Sequence, residues 1–419
     1  MAGQTGAAAR PPVAKPPVKK KKKKRVPVGK IILYVLLLIL VGVAAVFLVY
    51  VGKYVYSAYQ EMRNPTTAAA NSFPLTSYSA TNAANKDKVG YYIVGLTGAD
   101  AANDDMQMLS MVCFDKVKKT VNILEIPQST YLSGDDWAVN NVAGVWPHPK
   151  DIDWCDTCKE RVPAGEIVDG KHTVCGTPIT KKAGSATSSL AELFNQQYGL
   201  PVDGYFILSQ STLTKLVDLC GGVDIELDAP MTVGTLTYKA GVQTLDGKAA
   251  LQYVTATAGS DIAGDIGRMP RFDQVFVALM QRMAILADND LTANVIAPLM
   301  NSSAPIRVDE NTDNAAIVAL IRALADVSYD DMTAYLIPGG TAKSDGNTYY
   351  SVDKAALVEL INQHFNPYSD PLTEGNCQLT ELTGAKAVKS DPQVLSAYVI
   401  SQTGEATTTA APTTATTVN

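Results

Sequence analysis

The hydrophobic pattern of the chain begins with one long apolar run and continues as a series of short segments. Residues 31–51 are 21 consecutive uncharged residues, most of them apolar. At about 1.5 Å rise per residue, a helix of this length crosses a hydrocarbon core of roughly 30 Å, so we predict a transmembrane helix over 31–51. A buried core helix or a cleaved signal peptide is the alternative, which the length of the run and the lack of a small-residue cleavage site disfavour.

Beyond residue 86, segments with strand and helix periodicity alternate along the chain. Apolar runs bounded by turn residues predict strands over 89–98, 108–115, 120–127, 204–209, 223–228 and 332–340. Apolar residues at helical spacing predict helices over 190–199, 211–222, 271–287, 314–327 and 353–365. The alternation predicts an α/β domain over residues 87–370, with a mixed central sheet and helices on both of its faces.

The predicted helix Arg271–Ala287 carries an apolar stripe at helical spacing, formed by Phe272, Val275, Phe276, Leu279, Met283 and Leu286. Such a stripe is typical of a helix face that packs on a protein core. A pocket for a lipid tail is the alternative interpretation.

Composition changes at both ends of the predicted domain. Residues 1–30 contain ten Lys or Arg and no acid, which predicts a disordered basic arm. Residues 52–86 are small and polar and are interpreted as a stalk, and residues 371–419 are predicted to be a low-complexity tail. Because cytoplasmic flanks carry an excess of Lys and Arg, we predict a single-pass plasma-membrane protein with a cytoplasmic N-terminus and an extracytoplasmic main domain.

The charge of the chain argues against a nucleic-acid partner. The formal net charge is −6, and subtracting the arm's +10 leaves about −16 on the rest of the chain. Such a surface repels a phosphate backbone. The basic arm is better matched to anionic lipid at the inner leaflet of a membrane.

The segment GDIGRMPRFDQ, Gly264–Gln274, places Asp265, Arg268 and Arg271 at intervals of three residues. Arginine is scarce beyond residue 64, where six remain, and two of those six lie in this segment. A planar guanidinium can meet two oxygens of a phosphate at once, so the segment indicates an anion site. A surface pair that caps a helix is the alternative.

Several segments together resemble the LytR-CpsA-Psr family of envelope phosphotransferases. They are, in order, TVNILEIPQSTYL, LPVDGYFILSQSTLTKLVDLCGGVDIEL, AGVQTLDGKAALQYV and GDIGRMPRFDQ. The resemblance runs from about Lys88 to Tyr368 and depends on the ordered set, since no single motif is specific. It implies an α/β domain that takes a glycopolymer from a polyprenyl-pyrophosphate carrier and attaches it through a phosphodiester to peptidoglycan.

The resemblance also implies a site for the carrier. In this family Mg²⁺ is held by two aspartates and arginines bind the pyrophosphate, which assigns the diphosphate to Arg268 and Arg271 and the orientation of an arginine to Asp265. Asp100 and Asp105 are the candidate Mg²⁺ ligands, with Asp104 as an alternative to Asp105. Paired acids in a loop after a strand suit Mg²⁺, although solvated loop acids look the same in a sequence.

Three positions depart from the family pattern. Gln128, Thr255 and Thr257 stand where the family has arginines, so they are candidate substrate-binding positions without the charge. Each charge-assisted contact is worth roughly 1.5–3 kcal/mol, and its loss weakens anion binding. We therefore carry two hypotheses: an envelope phosphotransferase with fewer arginines, and a catalytically impaired member that acts as a scaffold or regulator by binding polymer or lipid carrier.

An insertion at about 150–180 carries chemistry that the resemblance does not explain. Cys155 and Cys158 form a CxxC pair, and His172 with Cys175 repeats the two-residue gap further on. Each pair has the spacing that lets two ligands converge on one ion, and a Cys₃His set is an ordinary structural zinc site. We predict a zinc-ribbon-like insertion with structural Zn²⁺. A disulfide, which an oxidising exterior would favour, is the alternative.

Overall fold

The computed structural model describes residues 88–400, apart from 100–103, 134–136, 138, 163–165, 183, 234–235, 258–261, 309–311 and 367–369. The predicted basic arm, transmembrane helix and stalk, residues 1–86, lie outside the described residues. Within the described part of the chain, no helix has both the length and the apolar character needed to cross a membrane.

Strands and helices alternate through the described residues. The strands are β1 Val89–Thr97, β2 Met106–Asp115, β3 Thr120–Ile126, β4 Ile152–Cys155, β5 Glu160–Arg161, β6 Ile167–Val168, β7 Lys171–His172, β8 Thr180–Lys182, β9 Gly204–Leu208, β10 Val223–Leu227, β11 Met231–Val233, β12 Leu236–Tyr238, β13 Gly241–Leu245, β14 Met332–Leu336, β15 Gly339–Ser344, β16 Asn347–Val352, β17 Lys386–Val388 and β18 Gln393–Val394. The α-helices are α1 Ala186–Glu192, α2 Gln210–Leu219, α3 Gly247–Thr255, α4 Ile262–Ala284, α5 Asp288–Asp290, α6 Ala297–Met300, α7 Asn314–Ala325 and α8 Lys354–Leu360. Wider π-helical turns follow α1, α5 and α8 at Leu193–Gln197, Leu291–Ile296 and Ile361–Phe365. Short 3-10 turns lie at Ala143–Val145, Tyr329–Asp331, Glu374–Asn376 and Leu395–Tyr398.

Local sequence explains where the longer helices begin. Ser209 caps α2 by accepting a hydrogen bond from the backbone N–H of Thr212. Aspartates do the same at three other helices, at Asp246 for α3, Asp313 for α7 and Asp353 for α8. Each cap satisfies an amide that the helix itself leaves unpaired, which fixes the first residue of the helix.

The central sheet has six strands in the order β18-β14-β3-β2-β1-β9. Strand β1 pairs antiparallel with β2 and parallel with β9, and β3 pairs antiparallel with β2 and parallel with β14. Strands β1, β3, β9 and β14 therefore run in one direction, and their carboxyl ends share one edge of the sheet. The predicted mixed α/β sheet is confirmed.

Two hydrophobic clusters lie on the two faces of this sheet, because neighbouring strand residues point to opposite faces. Tyr92 and Leu96 of β1 belong to the cluster that includes α2, α3, α4 and α7. Tyr91 and Ile93 belong to the cluster that includes α1 and α8. Helices thus cover both faces.

Helix α4 begins earlier than the predicted helix Arg271–Ala287. It spans Ile262–Ala284 and continues through Pro270, where proline costs a backbone hydrogen bond. The apolar stripe packs as predicted, with Val275, Leu279 and Met283 buried in the first cluster. The longer helix places Asp265, Arg268 and Arg271 on consecutive turns of one element.

The predicted low-complexity tail, residues 371–419, is wrong over 371–400. Strand β17 pairs with β15, and β18 extends the edge of the central sheet beside β14. Leu372, Leu379 and Leu395 are buried in the clusters. These strands are too short and too polar to show a periodic pattern, so they could not be predicted from the sequence. Residues 401–419 lie outside the described residues.

The predicted insertion forms two small sheets between β3 and α1. One has the order β5-β4-β8, and the other is the hairpin β6-β7. At its base, the Lys150 ammonium lies 3.0 Å from the Glu192 carboxylate and over the ring of Trp137. These contacts attach the insertion to the main domain.

Candidate functional site

A polar cleft of about 580 Å³ opens at the edge of the sheet where β1 and β3 end and β2 begins. It is lined by Gly98, Ala99, Asp104, Asp105, Gln107, Gln128 and Gln210. In sheets of this type, ligands bind outside the carboxyl ends of the strands. The topology therefore places this cleft where a ligand site is expected.

Two acids form one wall of the cleft. Asp104 and Asp105 lie in the loop that connects β1 to β2, with Asp104 half-buried and Asp105 exposed. Gly98 makes room for them, since a Cβ atom at that position would clash with the Asp104 carboxylate. The predicted metal ligand Asp105 is therefore in the cleft. The other predicted metal ligand, Asp100, lies outside the described residues.

Three glutamines complete the polar lining. The Gln210 side chain donates from Nε2 to Oε1 of Gln107, at 3.1 Å. Gln128, which the resemblance places at a family arginine position, also lines the cleft, and its role in substrate binding stays a prediction. Sequence reasoning missed Gln107, the second residue of β2, and Gln210, the first residue of α2.

A buried ion pair lies directly behind the cleft wall. Arg268 donates from Nε and Nη2 to Oδ1 of Asp265, at 3.0 and 2.7 Å, and both side chains are almost fully buried. Arg268 also donates to the backbone carbonyl of Gln107, and the backbone N–H of Gln128 donates to Oδ2 of Asp265 at 2.8 Å. The pair therefore holds the backbone of two residues that line the cleft.

The Asp265 carboxyl and two further carboxyl groups, those of Asp273 and Glu125, are buried in this region. Burial raises the pKa of Asp265, while Arg268 and the backbone N–H groups of Gln128 and Ser129 lower it. Burial raises the pKa of Asp273 on α4 to about 7. The pKa of Glu125 on β3 is raised first by burial and then by the charges of Asp273 and Asp265. Buried acids without a cation each tend to keep a proton.

Arg271 does not line the cleft. Its Nε donates to the carbonyl of Tyr253 at 2.6 Å, and its Nη atoms donate to the carbonyls of Ala256 and Gly267. The carbonyls of Tyr253 and Ala256 lie at the end of α3, which is a favourable position for a cation. This is the helix-capping alternative raised from the sequence, and the diphosphate-binding role of Arg271 stays a prediction.

Thr255 and Thr257 flank Ala256, whose carbonyl Arg271 binds. The Thr255 hydroxyl donates to the carbonyl of Leu251 at 2.7 Å, within α3. Neither threonine is among the residues that line the cleft. Their predicted contact with substrate is therefore not part of the described arrangement.

The four predicted zinc ligands come together in the insertion. The Sγ atoms of Cys155, Cys158 and Cys175 and a ring nitrogen of His172 all lie within 4.8 Å of one another. Cys113 and Cys377, by contrast, are buried in the core of the main domain, and burial raises the pKa of Cys113 to about 12.

The chemistry of the cleft favours a hard cation. Its described lining includes two carboxylates and three carboxamides and no Lys or Arg. Mg²⁺ takes oxygen ligands, keeps several waters and commonly shares its shell with substrate phosphates. The donor set therefore fits Mg²⁺, and a bound divalent cation would reverse the sign of the field that an anionic substrate meets.

Comparison with known proteins bears on what kind of domain this is. The model of the LytR_cpsA_psr family matches residues 180–366. Residues 180–366 belong to the LytR-CpsA-Psr family. The match includes Asp265, Arg268 and Arg271 on α4 and begins after β1–β3, so the cleft aspartates lie outside it.

Two named proteins and one solved structure are similar to parts of this chain. One is the polyisoprenyl-teichoic acid–peptidoglycan teichoic acid transferase TagU of Oceanobacillus iheyensis, 24% identical over 278 residues, covering 66% of this chain and 75% of that protein. Another is the probable cell wall biosynthesis protein LcpB of Corynebacterium glutamicum, 34% identical over 93 residues, covering 22% of each chain. Among solved structures, that of Bacillus subtilis TagT aligns with a TM-score of 0.47 at 15% identity, covering 72% of this chain and all of that one.

Proposed function

We propose that this protein is an envelope phosphotransferase that moves a glycopolymer from a polyprenyl-diphosphate carrier to peptidoglycan. The observation that carries the proposal is the acidic cleft at the carboxyl ends of β1 and β3, backed by the Asp265–Arg268 pair of a LytR-CpsA-Psr domain. The name of the Oceanobacillus relative, a teichoic acid transferase that acts on peptidoglycan, supports this class of substrate and acceptor. The predicted helix over 31–51 would hold the domain at the membrane where the carrier is found.

In this proposal Asp104 and Asp105 would hold Mg²⁺, with Asp100 as a further ligand. The metal supplies positive charge to the diphosphate, which is the main requirement of phosphoryl transfer. Gln107, Gln128 and Gln210 supply amide donors and acceptors to the polar part of the substrate. Asp265 and Arg268, paired with each other, hold the backbone of Gln128 and Gln107 and so fix the position of the cleft wall.

The reaction itself is a substitution at phosphorus. A peptidoglycan hydroxyl attacks the phosphorus that bears the glycopolymer, so that a new P–O bond forms as the bond to the bridging oxygen of the diphosphate breaks. Polyprenyl phosphate leaves with the electron pair of that bond. In this proposal the exposed Asp105 accepts the hydroxyl proton on the carboxylate oxygen that does not bind the metal.

The test uses the full-length chain with a polyprenyl-diphosphate-linked glycan, peptidoglycan and Mg²⁺. We expect release of polyprenyl phosphate together with glycan attached to peptidoglycan, and a loss of at least about a hundredfold in rate for Asp105→Asn, since a metal ligand and proton acceptor is removed. Asp326→Asn, an exposed acid at the end of α7, is the matched control and should keep the wild-type rate. Equal rates for the two variants would refute the assignment of the cleft.

The second candidate function is a non-catalytic member that binds the carrier or polymer as a scaffold or regulator. The observation that favours it is the uncharged Gln128 in the cleft at a family arginine position, with Arg271 engaged by helix carbonyls. Calorimetry with a polyprenyl diphosphate and Mg²⁺, followed by a turnover assay on the same sample, separates the two functions. Tight binding without transfer or release of phosphate would support the scaffold, and turnover would exclude it.

A further inference from the structure

The insertion has almost no hydrophobic core of its own. Among its described residues from 151 to 182, the buried ones are Cys155, Val162 and His172. None of the three belongs to either hydrophobic cluster of the main domain. A segment this small rarely holds its shape by apolar burial, and natural ones use disulfides or a metal instead. Two of its three buried residues, Cys155 and His172, are of types that commonly serve as metal ligands.

The two halves of the cluster have the same backbone geometry. Cys155 ends β4 and His172 ends β7, and each is followed by a tight turn that carries the second cysteine of its pair. The backbone N–H of Lys159 donates to the carbonyl of Cys155, and that of Gly176 donates to the carbonyl of His172, both at 2.8 Å. The two turns therefore hold their pairs of candidate ligands with the same backbone hydrogen bond.

Each turn also closes through a residue in the left-handed region. Lys159 has a φ of 60° and Gly176 a φ of 69°, and each follows directly after the second cysteine of its half. A left-handed residue is costly for lysine, so the turn at Lys159 is held by its surroundings. The backbone N–H of Cys158 points at Cys155 Sγ, 3.4 Å away, as it would to stabilise a thiolate.

The two sulfur–nitrogen distances match tetrahedral coordination. With Zn–S bonds of about 2.3 Å and Zn–N bonds of about 2.0 Å, tetrahedral geometry puts a sulfur and a nitrogen about 3.5 Å apart and two sulfurs about 3.8 Å apart. His172 Nδ1 lies 3.5 Å from Cys158 Sγ and 3.6 Å from Cys175 Sγ. The Sγ atoms of Cys155 and Cys175 are 3.3 Å apart, slightly closer than the tetrahedral edge.

Glu166 fixes which histidine nitrogen faces the sulfurs. Its Oε2 lies 3.3 Å from Nε2 of His172, on the opposite side of the ring from Nδ1. A carboxylate at that position keeps the proton on Nε2, so the lone pair of Nδ1 is directed at the cysteines. Sequence spacing gave no indication of Glu166.

We propose that the insertion binds one structural Zn²⁺ through the Sγ atoms of Cys155, Cys158 and Cys175 and Nδ1 of His172, with Glu166 as a positioning residue for the histidine. All four positions are filled by protein, so the ion has a structural role and holds the two hairpins together. The inference is independent of the function proposed for the cleft.

The first experiment measures metal binding by the full-length wild-type chain under reducing conditions. Elemental analysis should find close to one zinc per chain, and Co²⁺ in its place should give the intense visible absorption of a tetrahedral thiolate site, which Zn²⁺ then abolishes. A weak octahedral Co²⁺ spectrum would overturn the proposal. So would a native protein that lacks zinc and has a disulfide between Cys155 and Cys175 by peptide mass spectrometry. Since this experiment uses the wild-type chain, its result does not depend on whether any variant folds.

The second experiment uses variants. Cys155→Ser should lose the zinc, while Cys220→Ser, which alters a thiol outside the insertion, should keep it. Glu166→Gln should bind zinc about ten- to hundredfold more weakly in a chelator competition. Asp169→Asn, which changes an exposed acid in the turn of the β6-β7 hairpin, should match wild type. Retention of zinc by Cys155→Ser would refute the ligand set, and wild-type affinity in Glu166→Gln would refute the positioning role.

Discussion

Removing the carboxylate behind the cleft should destabilise the domain far more than removing an exposed one. In Asp265→Ala, the guanidinium of Arg268, 3% exposed, keeps its charge and loses both hydrogen bonds to Oδ1. The backbone N–H of Gln128 also loses its acceptor. Breaking a buried ion pair by removing one partner costs roughly 3–5 kcal/mol. For a domain of this size we expect a fall in Tm of roughly 6–10 °C.

The matched control is Asp288→Ala. Asp288 forms an ion pair with Arg322 at 2.6 Å, but its side chain is 49% exposed, and such pairs contribute about 0–1 kcal/mol. Denaturant unfolding of the purified full-length proteins gives both free energies. If Asp265→Ala lost no more stability than Asp288→Ala, the Arg268 charge could not be left buried without a partner in the variant, and the reasoning would be refuted. The double variant Asp265→Ala with Arg268→Met should recover most of the loss, because no charge is then left buried.

Two other predictions concern the same region. The pKa of Asp273 is raised to about 7 by burial, so the unfolded state releases this proton near pH 4 and the folded state near pH 7, and stability falls as pH rises through that window. Asp273→Asn should therefore match the stability of wild type near pH 4 and exceed it above pH 7, by up to a few kcal/mol in denaturant unfolding. A difference in unfolding free energy that is the same at all pH values would contradict this. Gln128→Arg restores a guanidinium to the cleft and should strengthen binding of a polyprenyl diphosphate by roughly tenfold to a hundredfold in calorimetry, whereas unchanged affinity would place the diphosphate elsewhere.

The strands and long helices could be predicted because their signal is local. Strands β1, β2 and β3 are apolar runs bounded by turns, and α7 has helical spacing between clear caps, so the alternation that defines the fold is visible in the sequence. The start of α4 was missed because Pro270 normally marks a helix boundary. The packing of 371–400 was missed because β17 and β18 are three and two residues long.

In the candidate sites, too, residues with a local signal could be predicted and residues brought together by packing could not. Spacing alone predicted Cys155, Cys158, His172 and Cys175, since ligand pairs on tight turns are local features. The burial of Arg268 beside Gln107 could not be predicted, because their contact joins residues 161 positions apart in the chain. The distinction between Arg268, which lies behind the cleft, and Arg271, which binds the end of α3, depends on helix packing that a three-residue spacing does not specify.

The charges around the cleft limit what binding data can decide between the two candidate functions. The described lining carries two aspartates and no Lys or Arg, and the cation behind it is already paired with Asp265. A diphosphate brought there alone meets like charge at short range, which is unfavourable at any effective dielectric constant. An enzyme and a scaffold with this cleft would therefore both need a divalent cation to bind the carrier. Metal-dependent affinity is common to both functions, so turnover at saturating Mg²⁺ and carrier is the measurement that separates them.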